Sequence, residues 1–507
     1  RYVSTNIPTT RLLAYDAAQQ GKGFGFGDGK TGRYYVDGWK SKDQNLRWDF
    51  RTGFASDFKI VIKYVAPKET SGGIYSVTSD AFYSQHHVVN GEKSTSVVTR
   101  ELETISLPAG LHHLQIAPVA VDKSELMKLL EVQLIPVSSK QPSLSKVFGD
   151  AEQQTKLMLA EIPKAKESKS GAAKGATPGS ATGELVSPRT LENGDLKLVT
   201  SKDWTSGFFP GQLWFLYEYT RKNEWKTEAE KFTANIEKEK TNGGTHDMGF
   251  KIYSSFGNGY KLTNNAHYKE VIIQSAKTLS TRFNPKVGLI KSWDHNKQKW
   301  DYPVIIDNML NLELLFEASK LTGDSSFYKI ASSHARKTME NHFRKDYSSY
   351  HVVDYDTATG KVVKKLTHQG YSDESAWARG QAWGLYGFTM CYRETKNKAF
   401  LNQAEHIASF LLNNPHLPKD GVPYWDFDAP VIPNEPRDAS AGAVIASALY
   451  ELSGYSKSGD QYRKAADKIM HSLTNHYRSP LGDNKGFILL HSTGTKPSNS
   501  EVDVPIN

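Results

Sequence analysis

Two aspartates stand in local sequences that would suit acid–base chemistry. Asp247 lies in Thr-His-Asp-Met-Gly-Phe at residues 245–250, and Asp307 lies in Ile-Ile-Asp-Asn-Met-Leu-Asn-Leu at residues 305–312. Two carboxylic acids in one pocket can donate and accept protons when their surroundings hold their pKa values apart. Either aspartate could instead cap a helix N-terminus, a structural task worth about 1 kcal/mol. Each motif alone leaves both interpretations open.

Three further segments combine glycine, tryptophan, histidine and charged residues where a purely structural helix needs none. They are residues 203–211, residues 350–355 and the run from His368 to Trp383. Within that run, Arg379 could pair with an anionic group through its planar guanidinium. It could equally belong to a core ion pair, and the tryptophans could either pack in the core or stack on a sugar ring.

The composition favours an anionic partner. The 507 residues include 63 Lys and Arg against 55 Asp and Glu, a formal net charge of +8. The basic residues are dispersed and accompany 10 Trp, 25 Tyr and 22 Phe, so a carboxylated or sulfated sugar fits better than nucleic acid. The alternative is that the surplus lysine only aids solubility.

Other classes are excluded by what the sequence lacks. It has no apolar run of the roughly 20 residues that a membrane span requires. Its single cysteine, Cys391, rules out an internal disulfide, and no Cys/His cluster has zinc-ligand spacing, so any structural metal would have to be bound by oxygen ligands. The chain begins at Arg1 without a Met or an apolar leader, which suits a periplasmic or secreted protein whose signal has been removed.

Residues 1–140 are predicted to form an accessory antiparallel β-sandwich. The clearest strand is Phe58–Val65, where β-branched and aromatic residues recur. A hairpin is expected from two strand-like runs, 99–107 and 112–116, joined by a Pro-Ala-Gly turn. Three aromatic residues of this region are expected to pack against the helical part of the chain rather than bind sugar: Trp39, Trp48 and Tyr83.

Residues 141–507 have helical periodicity. A first helix is predicted from Val147 to Pro163, followed by a flexible Lys/Ala/Gly/Ser-rich loop at 164–183. Amphipathic stretches then begin at Trp225, Tyr268, Tyr328, Phe400 and Tyr462, and they alternate with the more apolar stretches 214–219, 305–318, 376–392 and 439–452. This alternation predicts an α/α toroid of about six hairpins, with the apolar helices inside and a pocket at one mouth.

Together, the motifs resemble those of the unsaturated glucuronyl hydrolases of glycoside hydrolase family 88, across residues 147–507. The resemblance implies a six-hairpin (α/α)6 barrel, with Asp307 as catalytic acid/base and Asp247 as its partner. It also implies substrate contacts from His351, Gln369, Arg379 and Trp383. The chain departs from the family pattern in two respects. The family core does not need the β domain. Family members continue beyond the position of Asn507 with a Tyr/Asp-rich helix, so we expect a truncated last hairpin.

Five other residues are predicted to bind substrate. They are Trp204, His246, Trp293, Ser492 and Lys496. The last two belong to the loop 491–496, where hydroxyls, a glycine and a cation would suit a sulfate or a second carboxylate. A solvated turn is the alternative for this loop.

The activity implied by the resemblance is removal of a terminal Δ4,5-unsaturated uronic acid from oligosaccharides that polysaccharide lyases produce. The substrate would be an anionic oligosaccharide derived from a glycosaminoglycan or ulvan, acted on by a monomer or a dimer without a cofactor. Two other functions stay open. A lyase on the same toroid would use Tyr371 or His351 to abstract the C5 proton while Arg379 neutralises the carboxylate. A glycan-binding protein would need no catalysis.

Overall fold

A computed structural model describes residues 2–3, 9–52, 56–80, 82–107, 110–137, 143–172 and 183–506. The chain divides into two compact units, Arg1–Gln141 and Pro142–Asn507. No helix within the described ranges has both the length and the apolar character needed to cross a bilayer.

The first unit is a β-sandwich of two six-stranded sheets. The strands are β1 Tyr2–Val3, β2 Thr10–Leu13, β3 Ala18–Gln20, β4 Gly25–Phe26, β5 Val36–Asp37, β6 Asn45–Thr52, β7 Ser56–Val65, β8 Gly73–Ser79, β9 Phe82–His87, β10 Val97–Leu107, β11 Gly110–Val121 and β12 Lys128–Pro136. One sheet has the order β1-β6-β11-β8-β9 with β3 beside β6, and the other has the order β10-β7-β12-β5-β4 with β2 beside β12. The β1–β6 pair is parallel and the other pairs are antiparallel.

Two predictions about this unit need correction. The strand at 58–65 is confirmed within β7, but β10 and β11 do not form a hairpin, because β10 pairs with β7 while both edges of β11 are occupied by β6 and β8. The connection between them, residues 108–109, lies outside the described residues. Trp39 and Trp48 are buried in the core of the sandwich itself, whereas Tyr83 is 60% exposed.

The second unit contains successive helical hairpins. In its described part, α2 packs on α3, α4 on α5, α6 on α7, α8 on α9 and α10 on α11, and α1 adds a further helix beside α2. The helices are α1 Leu144–Ala172, α2 Phe208–Thr220, α3 Asn223–Ala234, α4 Asn258–Thr263, α5 Ala266–Ser280, α6 Leu312–Thr322, α7 Ser325–Asn341, α8 Ala378–Thr395, α9 Lys398–Asn413, α10 Ala439–Ser453 and α11 Gly459–His476.

The predicted alternation of apolar and amphipathic helices is confirmed. Nearly every residue of α8 from Ala378 to Cys391 is buried, whereas α11 buries a single stripe that includes Tyr462, Ile469 and Leu473. Helices with an apolar stripe need one partner, while helices that are apolar all round need neighbours on every side. The apolar set therefore forms the inside of the barrel.

The helix boundary predicted at Pro163 is wrong. Helix α1 continues through Pro163 to Ala172, so the first part of the predicted loop is helical. Pro163 is exposed, and the Lys- and Ala-rich residues after it are good helix formers, which offsets the lost backbone hydrogen bond. Residues 173–182 of the predicted loop lie outside the described residues.

Short strands and irregular helices hold the loops at the mouth of the barrel. A 3-10 helix covers Ile306–Asn311 and a π-helix covers Gly249–Gly257. The strands of this unit are β13 Leu185–Glu192, β14 Asp195–Thr200, β15 Phe283–Asn284, β16 Leu289–Ile290, β17 Tyr302–Ile305, β18 Val352–Tyr355 and β19 Val362–Leu366. Strands β17, β18 and β19 form one antiparallel sheet.

Candidate active site

A cavity of about 310 Å³ brings together most of the predicted site residues. Seven of them line it: Trp204, His246, Asp247, Trp293, Asp307, Gln369 and Arg379. The lining also includes polar and aromatic residues that the sequence analysis did not select, namely Thr245, Phe250, Ser292, His295 and His368. In the sequence, His295 lies two positions after Trp293 and His368 lies directly before Gln369. This proximity to predicted site residues could have identified both histidines.

Strand pairing places Asp307 beside His351. Strand β17 pairs with β18, and the next backbone N–H, that of Ile306, donates to the His351 carbonyl at 3.1 Å. Asp307 follows at once, in the first turn of the 3-10 helix, whose N-cap residue is Ile305. Its Oδ2 is buried and has no hydrogen-bond partner among the residues that the structure describes. The capping alternative is therefore wrong for Asp307.

The His351 ring is oriented by the backbone. Its Nδ1 accepts the N–H groups of His368 and Gln369 at 3.1 and 3.2 Å, which leaves the ring proton on Nε2. Nε2 lies 3.5 Å from Asp307 Oδ2. The ring is almost fully buried and packs against Trp377, with 4.4 Å between ring centroids. Trp377 stands within the selected run but was not singled out.

Asp247 has richer hydrogen bonding. Its Oδ2 accepts the Thr245 hydroxyl at 2.8 Å, and its Oδ1 lies 3.1 Å from His246 Nε2. Burial acts to raise the pKa of Asp247, but the His246 imidazole and the hydrogen bonds from His246 and Thr245 outweigh it, so this pKa lies below its ordinary value. Asp247 is therefore held ionised.

A glycine allows the two aspartate segments to approach. A Cβ on Gly249 would lie 2.5 Å from the Cα of Asn311, at the end of the 3-10 helix that carries Asp307. The neighbouring Phe250 N–H donates to Asn311 Oδ1 at 2.9 Å. Contact this close between backbones requires a residue without a side chain.

Arg379 is already paired within the protein. Its Nη1 donates to Asp438 Oδ2 at 2.6 Å and to the Thr493 carbonyl at 2.5 Å, and its Nη2 donates to the Gly494 carbonyl at 3.0 Å. Both charged side chains are buried. Arg379 lines the cavity, but its charge is balanced by Asp438, as in the core ion-pair alternative. Sequence analysis missed Asp438, which lies 59 residues from Arg379.

The loop 491–496 reaches the site through its backbone rather than its side chains. The Gly494 carbonyl accepts from Gln369 Nε2 at 3.1 Å as well as from Arg379. Ser492 is buried and pairs through its backbone with Val504, and Lys496 is partly exposed. Neither side chain belongs to the described lining of the cavity, so their contact with substrate stays a prediction.

Trp383 does not belong to the described lining of this cavity. It is buried and packs on Phe250, with 5.2 Å between ring centroids, and it lines a separate cavity of about 650 Å³ inside the barrel. Trp383 lies four residues after Arg379 on α8, which is about one helical turn further from the mouth.

Two tryptophans present rings to the cavity. Trp204 packs edge-on against Phe250, and Trp293 stacks on His295 with an interplanar angle of 17°. Burial, followed by the nearby His351, Lys299 and His295, lowers the pKa of His368.

In the described ranges, no cluster of three His, Cys, Asp or Glu side chains could hold a metal ion.

Comparisons with known proteins agree with this architecture. The unsaturated glucuronyl hydrolase of Formosa agariphila is 53% identical over 310 residues, 61% of this chain and 77% of that protein. A crystal structure of an unsaturated glucuronyl hydrolase specific for heparin is 45% identical, with a TM-score of 0.63 over 71% of this chain and 93% of the other. A mutant unsaturated glucuronyl hydrolase from Streptococcus agalactiae, complexed with dGlcA-GalNAc6S, is 28% identical, with a TM-score of 0.58 over 73% and 89%.

These likenesses confirm the α/α barrel, and the two sheets of the first unit confirm that a β domain precedes it in the sequence. The family model described as Glycosyl Hydrolase Family 88 matches residues 184–501, which is more than half of the chain. The chain is thus a glycoside hydrolase, and it belongs to glycosyl hydrolase family 88.

Proposed function

We propose that this enzyme removes the terminal 4,5-unsaturated uronic acid from oligosaccharides, with Asp307 as the acid that protonates the double bond and Asp247 as its partner. Family membership and the likeness to unsaturated glucuronyl hydrolases support the reaction. The roles of the two aspartates are inferred from one cavity that is lined by two carboxylates with different surroundings. Asp247 is held by two donors, whereas Asp307 Oδ2 has no hydrogen-bond partner among the described residues and lies 3.5 Å from His351 Nε2.

The chemistry explains why two carboxylates suffice. An unsaturated uronic acid has a C4=C5 double bond conjugated to its carboxylate, and C5 also bears the ring oxygen, so the sugar is an enol ether. Proton transfer from Asp307 to C4 leaves an oxocarbenium-like centre at C5. The conjugate base then takes a proton from water, whose oxygen adds to C5. The hemiketal opens at its C5–O bond, and C1 releases the rest of the chain as an alcohol, so one water is consumed.

The remaining side chains position the sugar and stabilise charge. The Asp247 carboxylate faces the cavity in which positive charge develops at C5, and a fixed negative group stabilises such a centre. Trp204 and Trp293 offer ring faces for the sugar. Arg379 and Gln369, joined through the Gly494 carbonyl, form part of the cavity wall.

An anionic substrate is supported by charge and by relatives. The net charge is +8. One relative is described as specific for heparin, and another from Streptococcus pneumoniae, 34% identical, is an unsaturated chondroitin disaccharide hydrolase. We therefore assign the enzyme to glycosaminoglycan breakdown, downstream of a lyase that creates the double bond. A periplasmic or secreted location, ulvan as an alternative source of substrate, and the choice between monomer and dimer stay predictions.

A lyase is not favoured. The Tyr371 side chain is 48% exposed and does not belong to the described lining of the cavity, so it is a poor candidate for abstracting a proton there. The Arg379 charge, which would neutralise the substrate carboxylate in a lyase, is already balanced by Asp438. Family 88 membership points in the same direction.

The test is the ultraviolet absorbance of the conjugated double bond during incubation with unsaturated disaccharides from chondroitin, hyaluronan, heparin and ulvan. The proposal predicts that absorbance falls with at least one of them. A rise with the intact polysaccharides would identify a lyase instead, and constant absorbance with all four disaccharides would overturn the proposal.

A further inference from the structure

We propose that Ser292 is a positioning residue of the active site, because its hydroxyl orients His246 toward Asp247 and joins that pair to the segment that carries Asp307. The inference rests on the roles proposed above for the two aspartates. Ser292 does not need to touch the sugar in order to act in this way, since it works through His246 and the backbone.

The contacts of Ser292 are short and buried. Its side-chain oxygen accepts the N–H of Ile305 at 3.0 Å and lies 3.2 Å from His246 Nδ1. Its backbone N–H donates to the Pro303 carbonyl at 2.8 Å. Ser292 is 2% exposed and His246 is 3% exposed, so water competes little for these hydrogen bonds.

The directions of these hydrogen bonds determine the tautomer of His246. His246 Nε2 lies 3.1 Å from Asp247 Oδ1, and an ionised carboxylate can only accept, so Nε2 carries a proton. In the neutral ring Nδ1 is then an acceptor, and the Ser292 hydroxyl, whose oxygen accepts the Ile305 N–H, donates its proton to Nδ1. The sequence of donors thus runs from Ile305 through Ser292 and His246 to Asp247.

This sequence of hydrogen bonds also spans the two catalytic segments. Ile305 is the last residue of β17 and precedes Asp307 by two positions. A single hydroxyl therefore links the strand that places Asp307 to the histidine that holds Asp247. Loss of the hydroxyl would free the His246 ring to rotate or to exchange its proton between the two nitrogens.

A comparison with His351 shows why Ser292 is the informative position. The Nδ1 atom of His351 also acts as an acceptor, but from two backbone N–H groups, which no substitution of those residues except proline removes. The Nδ1 atom of His246 depends on a side chain. Removal of one side-chain hydroxyl can therefore test the orientation of His246 but not that of His351.

The experiment compares Ser292→Ala with Ser292→Thr and Ser292→Cys in the full chain. The substrate is whichever unsaturated disaccharide the wild type turns over. We expect Ser292→Ala to lower kcat about tenfold while KM changes less than about twofold, because the hydroxyl organises catalytic groups and does not bind sugar. Ser292→Thr retains the hydroxyl and should recover most of the kcat. Ser292→Cys, a weaker donor of similar size, should have a kcat between those of the Ala and Thr variants.

Ser275→Ala, which removes a buried hydroxyl from α5, is the matched control and should keep the wild-type kcat.

The second readout is the ¹⁵N spectrum of the imidazoles, with the His246 signals identified by their absence in His246→Asn. Wild type and Ser292→Thr should show His246 protonated on Nε2, and Ser292→Ala should show a mixture of tautomers. This readout does not need turnover, so it separates failure of the inference from failure of the proposed reaction. If Ser292→Ala does not fold, the Thr and Cys variants supply both readouts. An unchanged tautomer together with a wild-type kcat in Ser292→Ala, or in Ser292→Cys where Ala does not fold, would overturn the proposal.

Discussion

The two sides of the catalytic cavity differ in how fully their polar groups are paired. On one side, Asp247 receives the Thr245 hydroxyl and the His246 ring, and its pKa is lowered. On the other side, built around β17 and β18, several buried polar atoms lack a hydrogen-bond partner in the described part of the chain. They are Asp307 Oδ2, Trp293 Nε1 and His351 Nε2, together with both ring nitrogens of His342, which lies outside the described cavity lining.

This difference assigns the two roles. Unpaired buried polar groups cost free energy, so a site that keeps them leaves them available to a substrate. An oxygen that no protein donor engages can face the carbon that it protonates. A carboxylate held by two donors is suited instead to remain charged while the sugar passes through a positive state.

The largest expected effect comes from Asp307→Asn. Asparagine keeps the shape of the side chain but has no proton to transfer, so kcat should fall about a thousandfold or more. Disaccharide turnover by absorbance measures the loss, and thermal unfolding should show a melting temperature close to that of wild type. Near-normal turnover would remove Asp307 from the role of acid.

Asp247→Asn tests the paired side and should lower kcat about a hundredfold, since the fixed charge is lost. If the two carboxylates act as one unit, the double variant should be little slower than Asp307→Asn alone. Rate constants for the four forms complete the cycle. Losses that multiply in the double variant would show that the aspartates act independently.

The unpaired side should also make the fold sensitive to acid. Burial, with Lys365 and His351 acting in the same direction, lowers the pKa of His342 to about 3. The unfolded chain therefore binds a proton at His342 below pH 6.5 while the folded chain does not, so stability falls as pH drops from about 6.5 toward 3, by about 2 kcal/mol at pH 5. Denaturant unfolding at pH 7 and pH 5 measures this change. In His342→Phe, which keeps a ring beside Tyr355, the loss between these pH values should shrink by about that amount; an unchanged loss would contradict the account.

The smallest effect is expected from Lys496→Ala. Because Lys496 lies outside the described cavity lining and is partly exposed, the change should raise KM for a sulfated disaccharide only two- to threefold, at roughly 1 kcal/mol or less. KM for the unsulfated sugar should not change. Initial rates at two salt concentrations measure the change in KM, and the substitution of an exposed lysine elsewhere, Lys464→Ala, is the control. An equal rise for both sugars would argue against an anion contact.

Local patterns in the sequence predict most of the architecture. The apolar stretches 376–392 and 439–452 correspond to α8 and α10, because helix burial is recorded in residue periodicity. The two aspartates and five other predicted residues converge on one cavity. The order of the motifs along the chain was enough to predict this convergence. The segments that carry them lie at the mouth of a barrel, and each helix of that barrel can be recognised from its own sequence.

What was missed depends on contacts between distant residues or on depth along a helix. The pairing of Arg379 with Asp438 joins residues 59 positions apart and leaves no local signal. Trp383 shares a motif with Arg379 but lies one turn deeper, where it contacts Phe250 rather than the cavity. The β10–β11 connection has turn chemistry, yet which strands pair depends on the edges already occupied.

The most direct test of the central claim is proton NMR of the reaction carried out in D2O. Protonation of the C4=C5 bond predicts that each newly released uronic acid carries at least one solvent deuterium at C4 and that the vinyl signal of C4 disappears as the partner sugar is freed. Release of the partner sugar from a uronic acid that keeps its double bond, with no deuterium at C4, would show ordinary cleavage at C1 and would contradict the account.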